Sequence, residues 1–520
     1  MHHGWQRRGK AGIQVIVVGI AAFVGGAMSI PRLVPTNEKS SAPIPTSSIQ
    51  GTFQTDDELH LPSETLEAFE SSLAEVDSTL GSKVTGFASL PSKKTSVETR
   101  KMSDQKGVER IRVFYATDRQ LLQANNPHLW ITAVTPPILS VLITFLLVAG
   151  CLAGKRRWAW GLGAFVGFTL SFILVGQSII KVGQLVRLSG EESVWFVGKR
   201  YEAGTHYPLH LGTSDVTLPP NHQSGEIERP SVFSFEFAER EDRHVMVQRI
   251  QSLDTDTFFS KLSERIAAAS SPSAFVNIHG YNVQFDEALQ RTAQITKDIH
   301  FEGAPILYSW PSNGQLLKYR RDESNVEWSV AHLERFLSDL HQRTGVKQIH
   351  VVAHSMGNRA LIGAIQLLQL RYPSKQPMLD QVILAAPDVD ADEFRDRYAV
   401  AVAACSKQVT LYSSANDRAL ITSMTLHGHR RLGLTSSPQP TVIGVDLIDV
   451  TPVDTSLLGH SYYGSHPLMI RELTSLLQSG ATPAQRTWLT TFADKRVPPL
   501  WHFVPAIASH PSEFLESTTR

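Results

Sequence analysis

Cysteine is almost missing from the 520-residue chain, which has only Cys151 and Cys405. Cys151 falls in an apolar run read below as a membrane span, so an internal disulfide framework is not expected. No C-x-x-C or H-E-x-x-H spacing occurs, which removes sequence support for a zinc site. An excess of either charge is also missing: Lys+Arg and Asp+Glu stand at 49 each. A balanced chain carries no electrostatic footprint for a polyanion, so no nucleic-acid partner is expected. No internal repeat is present, and no clean A-x-A cleavage site follows the first apolar run. The scarcity of cysteine does not by itself fix the redox compartment.

What the chain does have is concentrated apolar sequence. Ile13–Ile30 is nearly all apolar and follows Arg7, Arg8 and Lys10. Ile131–Ala153 and Trp158–Ile180 are two more such runs, separated by the short basic loop Gly154-Lys155-Arg156-Arg157. Each is close to the length needed to cross about 30 Å of hydrocarbon as a helix. Trp130, Trp158 and Trp160 stand at the ends of the second and third runs, where amphipathic rings favour the headgroup layer. Thr135-Pro136-Pro137 reads as a late helix start or a kink. The first run reads as an uncleaved anchor or a signal segment. Positive charge places Arg7, Arg8, Lys10 and the Lys155-Arg156-Arg157 loop in the cytoplasm, and residues 31–130 and everything after Lys181 on the far side. In a bacterium this is an inner-membrane protein with its large domain in the periplasm.

The remaining chain divides by composition. Residues 1–30 are the anchor or signal segment. Residues 31–109 form a Pro/Ser/Thr-rich linker containing a short amphipathic helix over Pro62–Leu80, with Ser63 as its N-cap. Residues 110–130 hold a strand, "RIRVFYATDRQ", and residues 131–180 the transmembrane hairpin. Residues 181–485 form a globular domain, and residues 486–520 a C-terminal tail. From Ser271 onward, apolar strands alternate with helices: "AFVNIHG", "APILYSW", "KQIHVVAHS", "DQVILAAPDVD", "KQVTLYSSAND" and "TVIGVDLIDV" are strands separated by amphipathic segments. One of those segments, ending at Gly345, reads as a single long helix. "SHPLMIRELTSLLQ" closes the series as a helix. This order predicts an α/β fold, a mostly parallel sheet with helices on both faces. Upstream, "SVFSFEF" and "HVMVQRI" read as antiparallel starter strands of the same sheet.

Ala353-x-Ser355-x-Gly357 stands where the strand "IHVVAHS" meets the helix "MGNRALIGAI". A nucleophilic serine on a sharp strand-to-helix turn has this context. It needs a base, and the base needs an acid to orient it. Asp417 follows a strand two further along, and His460 follows the next one, so the chain order is nucleophile, acid, base. Asp388 and Asp390 are rival acids after the intermediate strand. His466 reads as a helix cap or surface residue, and His427 and His429 as solvated loop residues. His354 is directed away from the serine and reads as a packing residue or the holder of a structural hydrogen bond. An oxyanion hole requires two N–H groups, and the backbone amides of Met356 and Tyr281 are the candidates.

Taken together, "VFYATDR", "VNIHGYN", "YSWPS", "HVVAHSMGN", "LAAPDVD", "SSANDRAL" and "HSYY" resemble a group of bacterial alpha/beta hydrolases of unknown function, usually described as esterase- or lipase-like. The resemblance spans residues 110–125 and 195–480. It implies the alpha/beta-hydrolase fold, with Ser355 as nucleophile, Asp417 as acid and His460 as base. The expected function is a membrane-anchored serine hydrolase acting on an ester or lipid-like small molecule, with no cofactor and no metal. The alternatives are a peptidase, a thioesterase, or a non-catalytic binding or scaffolding protein on the same fold.

Overall fold

The computed structural model describes residues 107–504, except 124–125, 154–156, 191–192, 202–206, 316–317, 374–375, 436–441, 454–461 and 492–498. The first apolar run, the linker helix over Pro62–Leu80 and His460 lie outside the described residues.

In chain order, β1 (Glu109–Thr117) and β2 (Arg119–Gln123) precede two long helices, α1 (Pro127–Ala153) and α2 (Arg157–Gly190). Then come β3 (Val194–Arg200), β4 (His210–Leu218), β5 (Met246–Leu253), α3 (Thr255–Ala267), β6 (Ser273–Ile278) and α4 (Phe285–Asp298). They are followed by β7 (Ala304–Ser309), α5 (Tyr319–Trp328), α6 (Val330–Arg343), β8 (Gln348–His354) and α7 (Gly357–Arg371). The chain continues through β9 (Leu379–Ala385), α8 (Ala399–Cys405), β10 (Ser406–Ser413) and α9 (Arg418–His427). It ends with β11 (Asp446–Asp449), α10 (Pro467–Ser479), β12 (Leu489–Thr491) and β13 (Leu500–Phe503).

Among the described residues, 11 strands form one sheet in the order β12-β13-β11-β10-β9-β8-β6-β7-β1-β4-β5. The middle runs parallel from β13 to β1, and antiparallel pairs close both edges. Neighbouring residues of the central strands alternate between two cores. Val276, Ile306 and Val351 enter one, while Phe275, Leu307 and Val352 enter cores on the opposite face. That is the period of two expected of a sheet covered on both sides.

The strand upstream of the hairpin belongs to this sheet. β1 pairs parallel with β7 and antiparallel with β4, so the apolar hairpin interrupts the chain between neighbouring strands of one sheet. The small ribbon β2–β3 ties the two ends of the hairpin together, with Leu121 opposite Phe196.

Two helices are long and apolar enough to cross a membrane, over Pro127–Gly150 and Gly163–Gly190. In their most apolar windows only 11% and 17% of the residues are buried. A core helix of a water-soluble domain would bury most of that surface. The chain is helical through Pro136 and Pro137, not begun or broken there. Proline at 137 removes the donor that would serve the Ala133 carbonyl. Ser178 of α2 donates to that carbonyl instead, at 2.7 Å.

Three segments differ from the sequence expectation. "SVFSFEF" is not a strand: it forms a 3₁₀ turn at Val232–Ser234 and a loop with Phe233 and Phe235 exposed. Phe235 and Phe237 rest against Phe172 of α2 rather than on the sheet. The strand beside β1 is β4, which is rich in small and polar residues. The expected single helix ending at Gly345 divides at Ser329, whose carbonyl accepts from the Tyr308 hydroxyl at 3.2 Å. Gly345 does close it, at φ +69°.

The stretch read as a tail supplies β12 and β13. It is anchored by a buried polar cluster. Glu472 of α10 accepts from Tyr412 at 3.0 Å and Trp488 at 2.6 Å, and pairs with the guanidinium of Arg486. Both charged side chains are fully buried. Glu472→Ala would strand the Arg486 charge in the core, at an expected cost of about 3–5 kcal/mol. An unfolding midpoint equal to that of the wild type in detergent would contradict this account.

Candidate active site

Ser355 lies between β8 and α7 with φ +52°. A side chain at positive φ is uncommon outside glycine, because Cβ crowds the backbone. Here the surroundings enforce it. The Ser355 N–H donates to Ala385 O at 2.9 Å, and its carbonyl accepts from Asp388 N at 3.2 Å and Asn358 Nδ2 at 3.0 Å. The turn therefore hangs between the end of β9 and the first turn of α7.

Two glycines make room for it. A Cβ on Gly357 would lie 2.4 Å from His279 O. A Cβ on Gly280 would lie 2.6 Å from His354 Nδ1 and 3.0 Å from the Ser355 Cβ. The loop after β6 therefore presses directly on the serine, which places Tyr281 next in the chain to that contact. Met356, the other amide candidate, is the N-cap residue of α7. Gly280→Ala is expected to lower turnover by about 10²-fold, the usual consequence of misplacing reacting groups by about an ångström. Wild-type turnover of a chromogenic ester by Gly280→Ala would contradict the contact.

The loop is held from below by residues whose roles are not visible in sequence spacing. Arg119, at the start of β2, is fully buried. Its Nε donates to Ser309 Oγ at 2.8 Å, Nη1 to Ser312 O at 2.8 Å, and Nη2 to Val283 O at 3.0 Å. Nη2 also lies 3.1 Å from His279 Nε2. Burial, outweighing the pull of Asp118 and Asp322, brings the guanidinium pKa down to about 10, so it is charged at neutral pH. The His279 pKa is pushed down to about 3 by burial and by the Arg119 charge. The ring is therefore neutral, with Nδ1–H donating to Gly280 O at 2.8 Å and Nε2 free to accept. Trp310 stacks on His279 and donates from its indole to His279 O at 2.8 Å. The quoted "ATDR", "HGYN" and "YSWPS" stretches thus form one scaffold under the oxyanion-hole candidate.

Asp417 is fully buried at the N-cap of α9, where its carboxylate accepts from Leu420 N at 2.9 Å. The next three residues, Arg418, Ala419 and Leu420, line a cavity of about 710 Å³ together with Ser355. His460 lies outside the described residues. Tyr463, three positions beyond it, is in the cavity wall, its ring stacked on His354 with centroids 4.5 Å apart. His354 itself lines the cavity while its ring packs on Tyr463.

The rivals separate. Asp388 lines the cavity but is already engaged. Ser423 Oγ donates to it at 2.6 Å, the Tyr319 hydroxyl also donates to it, and Arg359 Nη2 lies 3.5 Å away. Burial alone would raise its pKa, but Arg359, Ser423 and Tyr319 outweigh this and hold the carboxyl below its ordinary range. Asp390 caps a turn, accepting from Asp392 N at 2.9 Å and Glu393 N at 3.0 Å. His466 caps α10, accepting from Leu468 N at 3.2 Å. His427 is not a solvated loop residue: it ends α9, with Nε2 2.5 Å from Glu323 and Nδ1 2.7 Å from Ser423 O. Among the described residues no cluster of His, Cys, Asp and Glu is arranged to hold a metal.

Residues 254–478 match the model of a protein family described as "Alpha/beta hydrolase of unknown function (DUF900)". This domain has the alpha/beta-hydrolase fold. The matched segment runs from the start of α3 to the end of α10 and contains the elbow, the three acid candidates Asp388, Asp390 and Asp417, and His460. β1, β4 and β5 on one side and β12 and β13 on the other complete its sheet from outside the match. No curated protein matches the chain.

Proposed function

We propose that the chain is a membrane-anchored serine hydrolase that cleaves a carboxylic ester. The observation that carries this reading is Ser355 at φ +52° on a strand-to-helix turn, opening into a cavity of about 710 Å³ with the Gly280 loop against it. Backbone strain at a cavity floor, held by bonds on both sides, suits a nucleophile presented for attack.

In the reaction, Ser355 Oγ attacks the acyl carbonyl and His460 takes its proton. The Asp417 carboxylate holds the resulting imidazolium. The amides of Met356 and Tyr281 receive the oxyanion, the term of largest weight in such chemistry. The intermediate collapses, the alcohol leaves with the proton returned by His460, and water, activated by the same base, releases the acid. Tyr463 in the cavity wall supports a base supplied by the neighbouring segment. The two apolar helices anchor the domain to a bilayer, and the Lys155-Arg156-Arg157 loop favours the extracytoplasmic side.

The test is reaction with a fluorophosphonate probe, followed by turnover of esters of graded chain length. A folded, detergent-solubilised protein that neither labels nor cleaves any ester would overturn the proposal.

A further inference from the structure

The loop Ser231–Phe237 has an apolar tip and a polar base. Phe233 and Phe235 are 75% and 73% exposed. At the base, the Glu236 carboxylate accepts from Ser231 N at 3.3 Å and pairs with Arg243 at 2.9 Å. Phe235 has φ +56°, a conformation an aromatic residue adopts only when its surroundings impose it.

The loop rests on α2. Phe172 meets Phe235 and Phe237 edge-to-face, with ring centroids 6.0 and 6.2 Å apart. A Cβ on Gly176 would lie 2.7 Å from both methyl carbons of Val232, so the Val232 side chain packs against the helix where glycine leaves room. The depth of this contact follows from helix geometry. A span of about 20 residues crosses the hydrocarbon at 1.5 Å per residue. Counted from Trp158, it ends near Ser178, which is level with Ala133 of α1 through their hydrogen bond. Phe172 is six residues short of that boundary, so it lies about 9 Å inside the apolar layer. Lys181 and Arg187 follow just above, at headgroup level.

The same segment reaches the catalytic cavity. Ile227 and Arg229 line its wall beside Ser355. Only Pro230 separates Arg229 from Ser231, a reach of at most about 7 Å.

We propose that the Ser231–Phe237 loop inserts Phe233 and Phe235 into the leaflet facing the hydrolase domain. It thereby holds the cavity mouth at the lipid surface, where the substrate is an amphiphilic ester taken from that leaflet. This rests on the membrane-anchored serine-hydrolase reading above. Lipid hydrocarbon is the occupant because the patch is continuous with the exposed apolar face of α2, where Phe165 and Phe168 are 69% and 67% exposed.

The experiment uses the full chain in lipid nanodiscs, with Cys151→Ala and Cys405→Ala as background. Phe233→Cys carries an environment-sensitive fluorophore, and Val400→Cys, at a position 82% exposed, serves as the aqueous control. The label at 233 is expected to emit to the blue of the control and to be quenched several-fold more by nitroxide on lipid acyl chains. Phe233→Asp combined with Phe235→Asp is expected to keep turnover of a water-soluble short-chain ester within twofold. Turnover of a long-chain ester embedded in the disc should fall tenfold or more. A label at 233 that behaves like the one at 400, or equal losses on both esters, overturns the proposal. If the chain resists alkaline carbonate extraction and labels with fluorophosphonate, such a result leaves the underlying reading standing. Extraction by carbonate, or no labelling, overturns both.

Discussion

Ser355→Ala is expected to abolish fluorophosphonate labelling and to lower ester turnover by about 10⁵–10⁶-fold, the scale on which a nucleophile acting as one unit with its base is lost. The variant should fold, because alanine keeps the Cβ that the turn already accommodates, and the bonds from Ala385, Asp388 and Asn358 involve only the backbone at 355. Ser355→Gly separates strain from chemistry. Glycine adopts φ +52° without penalty, so relief of about 1 kcal/mol is expected in unfolding free energy, with the same loss of activity. A protein made more stable by removal of its nucleophile would show that the fold, not local preference, maintains the elbow. Labelling that persists in Ser355→Ala would place the reactive group elsewhere.

The elbow was legible because its signal is local. Strands such as Ser273–Ile278 and Leu379–Ala385 are short apolar runs bounded by turns, and buried parallel strands require that composition. The A-x-S-x-G spacing acquires meaning from the strand before it and the helix after it. β4 was not legible for the opposite reason. Its burial comes from lying between β1 and β5, where a Cβ at Gly212 would lie 2.0 Å from Gln251 O, and small residues in that position resemble a loop. "SVFSFEF" misled because alternating aromatics look the same whether they face a sheet core or an apolar helix. β12 and β13, at 3 and 4 residues, are too short to show a period. Arg119 has no spacing signal at all, since its partners Ser309 and Ser312 lie more than 180 residues away. Its role follows from the fold that brings β1 and β7 side by side. Local patterns thus identified the nucleophile, while the groups that position the loop above it depend on pairings set by the whole sheet.

Exchange of the two candidate acids should give opposite phenotypes. Asp417→Asn is expected to lower turnover by about 10⁴-fold while sparing stability, because an amide oxygen can still accept from Leu420 N. The loss is chemical: an asparagine favours the wrong imidazole tautomer and gives no charge to the imidazolium. Asp388→Asn should do the reverse. Its carboxylate faces the Arg359 guanidinium at 3.5 Å and Arg431 at 3.6 Å, and removal of its charge takes a counterion from the buried Arg431, while Arg359 keeps Glu323 at 2.9 Å. A cost of about 3–5 kcal/mol in stability is expected, with fluorophosphonate labelling of the folded fraction slowed far less than in Asp417→Asn. The two outcomes are read together, by labelling rate and by unfolding midpoint on the same samples. If Asp388→Asn labels 10⁴-fold more slowly and Asp417→Asn labels normally, the acid follows β9 and not β10. The Arg359–Ser423–Tyr319 cluster would then be part of the catalytic apparatus, not a brace for the cavity rim.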